Sequence, residues 1–212
     1  MRKFSLALLS ALLLPTVALA GDDDAGGKIR IKLDTPIFSR DTLSTTNNDS
    51  DKTSSQTTTG ITLGTGGARL YGGYVLSPNI ELGLALGFAS TSDTYATDDD
   101  DGDIGKGSSV GLLACATFNK NFGESVGGFA TGKFGIDNTS YEPDGGDEST
   151  LNFLRFGAEA GARYRVNKRA AIEGGLEFLG GTGSSSYDGD KDEDNTLGKT
   201  SISLRFGVSV KI

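Results

Sequence analysis

The chain contains no histidine and no tryptophan, a single cysteine and only four prolines in 212 residues. Without histidine, the commonest general base and the commonest zinc ligand are both missing. One cysteine excludes an internal disulfide framework and a multi-cysteine metal site. Bases are outnumbered, 20 Lys and Arg against 28 Asp and Glu for a net charge of −8, so the chain is a poor match for nucleic acid. Beyond its first stretch it has no run of roughly 18 apolar residues, which excludes a membrane-spanning helix there. What it has in abundance is glycine, 32 residues without a three-residue period. With so little proline, that composition rules out collagen and does not read as Pro-rich disorder.

Residues 1–20 have the layout of a secretory signal peptide. Arg2 and Lys3 give a positive start, Phe4 to Leu14 an apolar stretch broken only by Ser5 and Ser10, and Pro15 and Ala18-Leu19-Ala20 the cleavage region. The cut is expected between Ala20 and Gly21. It leaves 18 bases against 28 acids, net −10 over 192 residues. Residues 21–27 then form a short N-terminal segment, and 28–212 one folded domain.

That domain alternates with period two, the mark of strands with one apolar face. Eight strands are expected, near 28–38, 59–76, 79–91, 108–119, 125–137, 150–166, 170–182 and 197–212. In the last, Ile202, Leu204, Phe206, Val208, Val210 and Ile212 share one face, and Ser203, Arg205, Gly207, Ser209 and Lys211 the other. The sixth sets Leu154, Phe156, Ala158, Ala160 and Ala162 against Arg155, Glu159 and Arg163. The second changes phase near Gly64 to Gly67, where a glycine-permitted bulge fits.

The connectors alternate in length. Ser77-Pro78, the stretch around Asn121 and Gly123, and Asn167-Lys168 are short, whereas 39–58, 92–107, 138–149 and 183–196 are long. All short turns then fall at one end and all long loops at the other, as in a transmembrane β-barrel. Aromatics of the apolar face lie towards strand ends: Tyr74, Phe118 and Tyr164 near the turns, Phe88, Phe134 and Phe178 nearer the loops. Two girdles at the water boundaries would look like this. The fold class expected is therefore all-β, a closed antiparallel eight-stranded up-and-down transmembrane barrel. A soluble exported barrel, with its apolar face turned inward onto an apolar ligand, is the alternative.

Eight strands close around an interior just wide enough for side chains. The inward set would be Lys28, Arg30, Lys32, Arg69, Glu81, Lys133, Arg155, Glu159, Arg163, Arg165, Glu173, Glu177 and Arg205. Unpaired charges there are expensive, so Glu81, Glu159, Glu173 and Glu177 should each meet an Arg or Lys. A packed polar plug is the expected result, rather than an ion path. Cys115, between Ala114 and Ala116 on the lumen phase, has no histidine to activate it and reads as an inert core residue.

In this layout the chain resembles the small outer-membrane β-barrels typified by outer membrane protein X and the membrane domain of outer membrane protein A. The likeness spans 28–212 in arrangement rather than residue identity. Its most local motif is the C-terminal assembly signal, matched by Arg205, Gly207, Val210 and Ile212, although the final residue of that signal is usually aromatic. The resemblance implies the outer membrane of a Gram-negative-type bacterium, reached by secretory export to the periplasm. It also implies the barrel-assembly machinery as a partner during insertion, outer-membrane lipid and lipopolysaccharide as surroundings, and a monomer.

The loops are acidic. Segment 92–107 carries net −5, 183–196 and 138–149 net −4 each, and 39–58 net −1. Asp188, Asp190 and Asp192 have the opening spacing of a calcium loop, but Glu193 stands where glycine is required. Asp99, Asp101 and Asp103 fail likewise at Ile104. These six aspartates are weak metal candidates, suited to loosely held Ca²⁺ or Mg²⁺, and no cofactor is expected. The Ser/Thr/Asn-rich segment 39–58 reads as mobile surface. The expected function is non-enzymatic: envelope structure or surface contact through the acidic loops, with a narrow ion pore as the alternative.

Overall fold

The computed structural model describes residues 29–47, 52–61, 67–96, 101–143, 149–187, 190–191 and 195–212. The signal peptide, the 21–27 segment and Lys28 lie outside these residues. Among the described residues there are ten strands: β1 (Ile29–Asn47), β2 (Thr53–Ile61), β3 (Ala68–Ser77), β4 (Ile80–Ala96), β5 (Asp101–Asn121), β6 (Val126–Pro143), β7 (Ser149–Arg165), β8 (Ala170–Tyr187), β9 (Asp190–Lys191) and β10 (Asn195–Lys211).

They make an eight-position ring. The ladder runs from β10 through β1, β3, β4, β5, β6 and β7 to β8, and β8 pairs back onto β10. Strands β2 and β3 share one position: Phe38↔Ile61 to Thr46↔Thr53 join β2 to the outer part of β1, and Ile29↔Tyr74 to Asp34↔Arg69 join β3 to the inner part. The expected second strand, near 59–76, is described in β2 up to Ile61 and in β3 from Ala68; the phase change expected near Gly64 to Gly67 falls mostly on 62–66, outside the described residues. Gly67, just before β3, has φ +82, a left-handed conformation that glycine adopts without penalty. β1 carries its own bulge between Pro36 and Phe38 against β10, at a proline that has no N–H to give the ladder.

Period-two alternation decides which way each side chain points. Leu84, Phe134 and Ile136 are 56%, 56% and 61% exposed, whereas Glu81 and Glu177 are 1% exposed and Arg205 4%. Among the described residues, 29 large apolar side chains are exposed and only nine apolar residues are buried. Each large apolar side chain is worth about 1.5–3 kcal/mol when removed from water, so leaving that many wet would cost several times the ~5–15 kcal/mol of a typical domain's stability. The outward face requires hydrocarbon, and the fold is a transmembrane barrel rather than a soluble one. Tyr74, Phe118, Tyr164, Phe88, Phe134 and Phe178 all point outward, as the girdle reading required. Closure gives β1, β3, β4, β5, β6, β7, β8 and β10 a partner strand on each side, which matters where no water can satisfy a free backbone group.

The long loops are the chief correction. Most of 39–58 is strand, in β1 and β2, and the strands likewise extend through 92–96, 101–107, 138–143 and 183–187. The barrel rises into a crown of paired strands, while 48–51, 97–100, 144–148, 188–189 and 192–194 of the expected loops lie outside the described residues. Hydroxyl pairs cross-link the crown at Thr42–Thr57 and Thr46–Thr53, both 3.0 Å. Side chains there are polar on both faces, so the backbone ladder continues where the hydrophobic contrast that reveals a strand has vanished.

Candidate functional site

The interior is organised around a closed ring of six alternating charges drawn from five strands. Lys32 lies 3.2 Å from Asp34, which accepts from Arg205 Nε at 2.6 Å. Arg205 lies 3.7 Å from Glu177, Glu177 2.6 Å from Lys133, and Lys133 2.5 Å from Glu159. Glu159 closes the ring on Lys32 at 3.3 Å. Each member is an inward position of its strand, so the ring follows from the same alternation that puts leucine and phenylalanine outside.

Further groups satisfy the remaining valences. Glu177 also pairs with Arg69 and accepts from Ser203 Oγ at 3.2 Å. Glu173 takes Arg163 at 2.7 Å, Ser209 Oγ at 2.6 Å and Lys32 at 3.5 Å, and Arg163 reaches Asn119 Oδ1 at 2.8 Å. Glu81 meets Arg30 at 3.1 Å. The phenyl ring of Phe129 carries Lys32 and Arg163 with their charged ends 5.3 and 5.6 Å from its centroid, a favourable cation–π placement. Removing a charge from water costs several kcal/mol, so such a cluster persists only when every carboxylate has cations and hydroxyls around it. Here all four glutamates expected to need a partner have one.

Space in the lumen is small. A cavity of about 30 Å³ lies beside Arg30, Tyr71 and Glu81, close to the volume of a single water. On the other side of the ring a chamber of about 380 Å³ is lined by Asp41, Ser109, Asp137, Arg155 and Lys199 among others. There Lys199 pairs with Asp137 at 3.1 Å, and Arg155 donates to Ser201 Oγ at 2.8 Å while lying 3.9 Å from Asp137. Cys115 is buried, its Sγ 3.7 Å from the Leu113 carbonyl oxygen.

The inward set needs one relocation and several additions. Arg165 is at the short-turn rim, holding Asn121 Oδ1 and the Glu124 carbonyl oxygen, not inside the lumen. Asp34, Asp137, Lys199 and Tyr71 also belong to the interior. Asp34 lies two residues after Lys32 and Tyr71 two residues after Arg69, each in the inward phase of its strand, so alternation marks both. Of the six aspartates, Asp99, Asp188 and Asp192 lie outside the described residues. Asp101 and Asp103 lie on β5, opposite Ala96 and Thr94, and Asp190 lies on β9 opposite Tyr187. No cluster of three or more Cys, Asp or Glu suited to a metal occurs among the described residues.

No protein-family model matches the chain, and no curated protein matches it either. Solved structures do. Neisserial surface protein A superposes with a TM-score of 0.50 at 14% identity, covering 89% of this chain and all of its own. The outer membrane protein OprG from Pseudomonas aeruginosa gives 0.49 at 12% identity, over 88% of this chain and 98% of its own. At such identity the first likeness speaks for the fold.

Proposed function

We infer that this chain, whose fold is that of the small eight-stranded outer-membrane β-barrels, resides in the outer membrane of a Gram-negative-type bacterium. It acts there as a non-enzymatic, non-conducting anchor for its crown, serving envelope structure or surface contact. The observation that carries the reading is the six-membered charge ring, because it fills the lumen between the two cavities with mutually paired groups. An ion crossing it would have to separate buried pairs held at about 2.5–3.7 Å.

The absence of histidine from all 212 residues supports the non-enzymatic part. Export by the leader of residues 1–20, insertion guided by Arg205, Gly207, Val210 and Ile212, and a monomer in lipid and lipopolysaccharide complete the reading. The acidic segments that carry Asp99, Asp101, Asp103, Asp188, Asp190 and Asp192 in the sequence hold Ca²⁺ or Mg²⁺ loosely by charge, without a defined coordination shell. Planar-bilayer recording of the refolded protein tests it. No steady channels are expected, and large, long-lived conductance steps would establish a pore instead.

A further inference from the structure

The short-turn end of the barrel carries a basic arc. Lys120 lies at the end of β5, Arg165 ends β7, Lys168 and Arg169 lie in the β7–β8 turn, and Lys211 ends β10. These positions follow one another around the ring, while the β3–β4 turn, Ser77-Pro78-Asn79, is uncharged. Glu124 is the one acidic side chain of the described turns. Lys120 points to the lipid side: Phe118 is exposed, Asn119 is buried at 6%, and Lys120 is the next outward residue beyond that aromatic. A long cationic side chain just past a girdle aromatic sits at the level of lipid headgroups.

On the same wall, nearer mid-membrane, lies an outward-facing apolar groove of about 430 Å³. Ala130 and Gly132 of β6 and Ala158 and Ala160 of β7 form its floor; Leu176, Phe178 and Ile202 wall it. The floor continues toward the arc, since Gly128 pairs with Ala162 and Ala162 with Gly174. On β4, by contrast, Leu82, Leu84, Leu86 and Phe88 fill the outward wall.

We propose that the groove and the arc together hold one anionic phospholipid, drawn from the leaflet at the short-turn end. An acyl chain occupies the groove, and the headgroup phosphate rests on Lys120 and Lys168. The register agrees. Lys120 pairs with Gly128 and Gly128 with Ala162, so Lys120 lies beside the continuation of the groove's floor, two residues beyond Ala160 toward the short turns. The charge agrees too, because the acidic crown repels phosphate at the opposite end and the arc attracts it here.

Native mass spectrometry of the detergent-solubilised protein tests this, with phosphatidylglycerol and phosphatidylcholine of identical chains supplied in competition. Wild type should retain phosphatidylglycerol preferentially. The double variant K120Q/K168Q should lose that preference, by roughly fivefold for each lysine removed. A160L, which fills the groove, should reduce retention of both lipids, and L70F on the far wall should change neither. Equal retention of the two lipids by wild type, or a preference untouched by K120Q/K168Q, would overturn the proposal. Heat-modifiable gel migration of each variant reports the barrel separately, so failure of the lipid site and failure of the membrane reading remain distinct.

Discussion

Glu159 and Glu177 face each other directly across the β7–β8 ladder, and Lys133 Nζ from β6 holds them together at 2.5 and 2.6 Å. Two carboxylates opposed on neighbouring strands repel, and among the described residues this ammonium is the one cation they share, beside Lys32 on Glu159 and Arg69 and Arg205 on Glu177.

Replacing Lys133 with Met should therefore cost about 3–5 kcal/mol, because it leaves two buried carboxylates short of a cation. Urea unfolding in lipid vesicles measures it. Adding Glu159→Gln to Lys133→Met should restore part of the loss; equal stability of wild type and Lys133→Met would refute the sharing.

Leu84 lies mid-strand on β4 and is 56% exposed toward lipid. Leu84→Arg should cost about 2–4 kcal/mol in vesicles, the penalty of an arginine near the bilayer midplane. Thr57→Arg, on the exposed crown strand β2, should shift stability by no more than about 0.5 kcal/mol. Similar costs at both sites would contradict the placement of the membrane.

Gly83 faces the lumen beneath the Tyr71 side chain. A Cβ there would come within 2.5 Å of both the Gly72 carbonyl oxygen and Tyr71 Oη. Because the first of these is backbone, Gly83→Ala should destabilise by about 1–3 kcal/mol, and truncating Tyr71 alongside it should recover only part. A lower temperature for loss of the compact gel form is the readout.

The crown makes a prediction opposite to that of a mobile loop. Thr42 to Thr46 pair with β2 on one side and β10 on the other, so their amides should exchange slowly with deuterium. Gln56→Pro, at a position that exchanges backbone hydrogen bonds with Leu43, removes one donor from the β1–β2 ladder and should speed exchange there without affecting β5 to β8. Rapid exchange of Thr42–Thr46 in the wild type would show that this part of the ladder is open in solution.

Much of the barrel was readable from residues alone, and the reason is specific. Between hydrocarbon and a narrow polar lumen each strand residue has only two environments, so Leu204 and Arg205, or Phe156 and Arg155, declare their faces by type. That contrast disappears outside the membrane. Thr42 and Thr57 look alike on either face, so residue type does not mark the outer part of β1 or β2 as strand. Nor does it reveal that β2 pairs with the outer half of β1 and β3 with the inner half.

The order of apolar and polar residues by itself determined the all-β class, the eight positions of the ring and the direction in which each of its spanning side chains points, because a period of two admits one inward set per strand. Which charges meet was decided only by the closed sheet. Lys32 and Glu159 are 127 residues apart, and Arg205 and Asp34 171 apart. Barrel closure and strand register bring them within bonding distance, and no local pattern in the chain encodes that spacing.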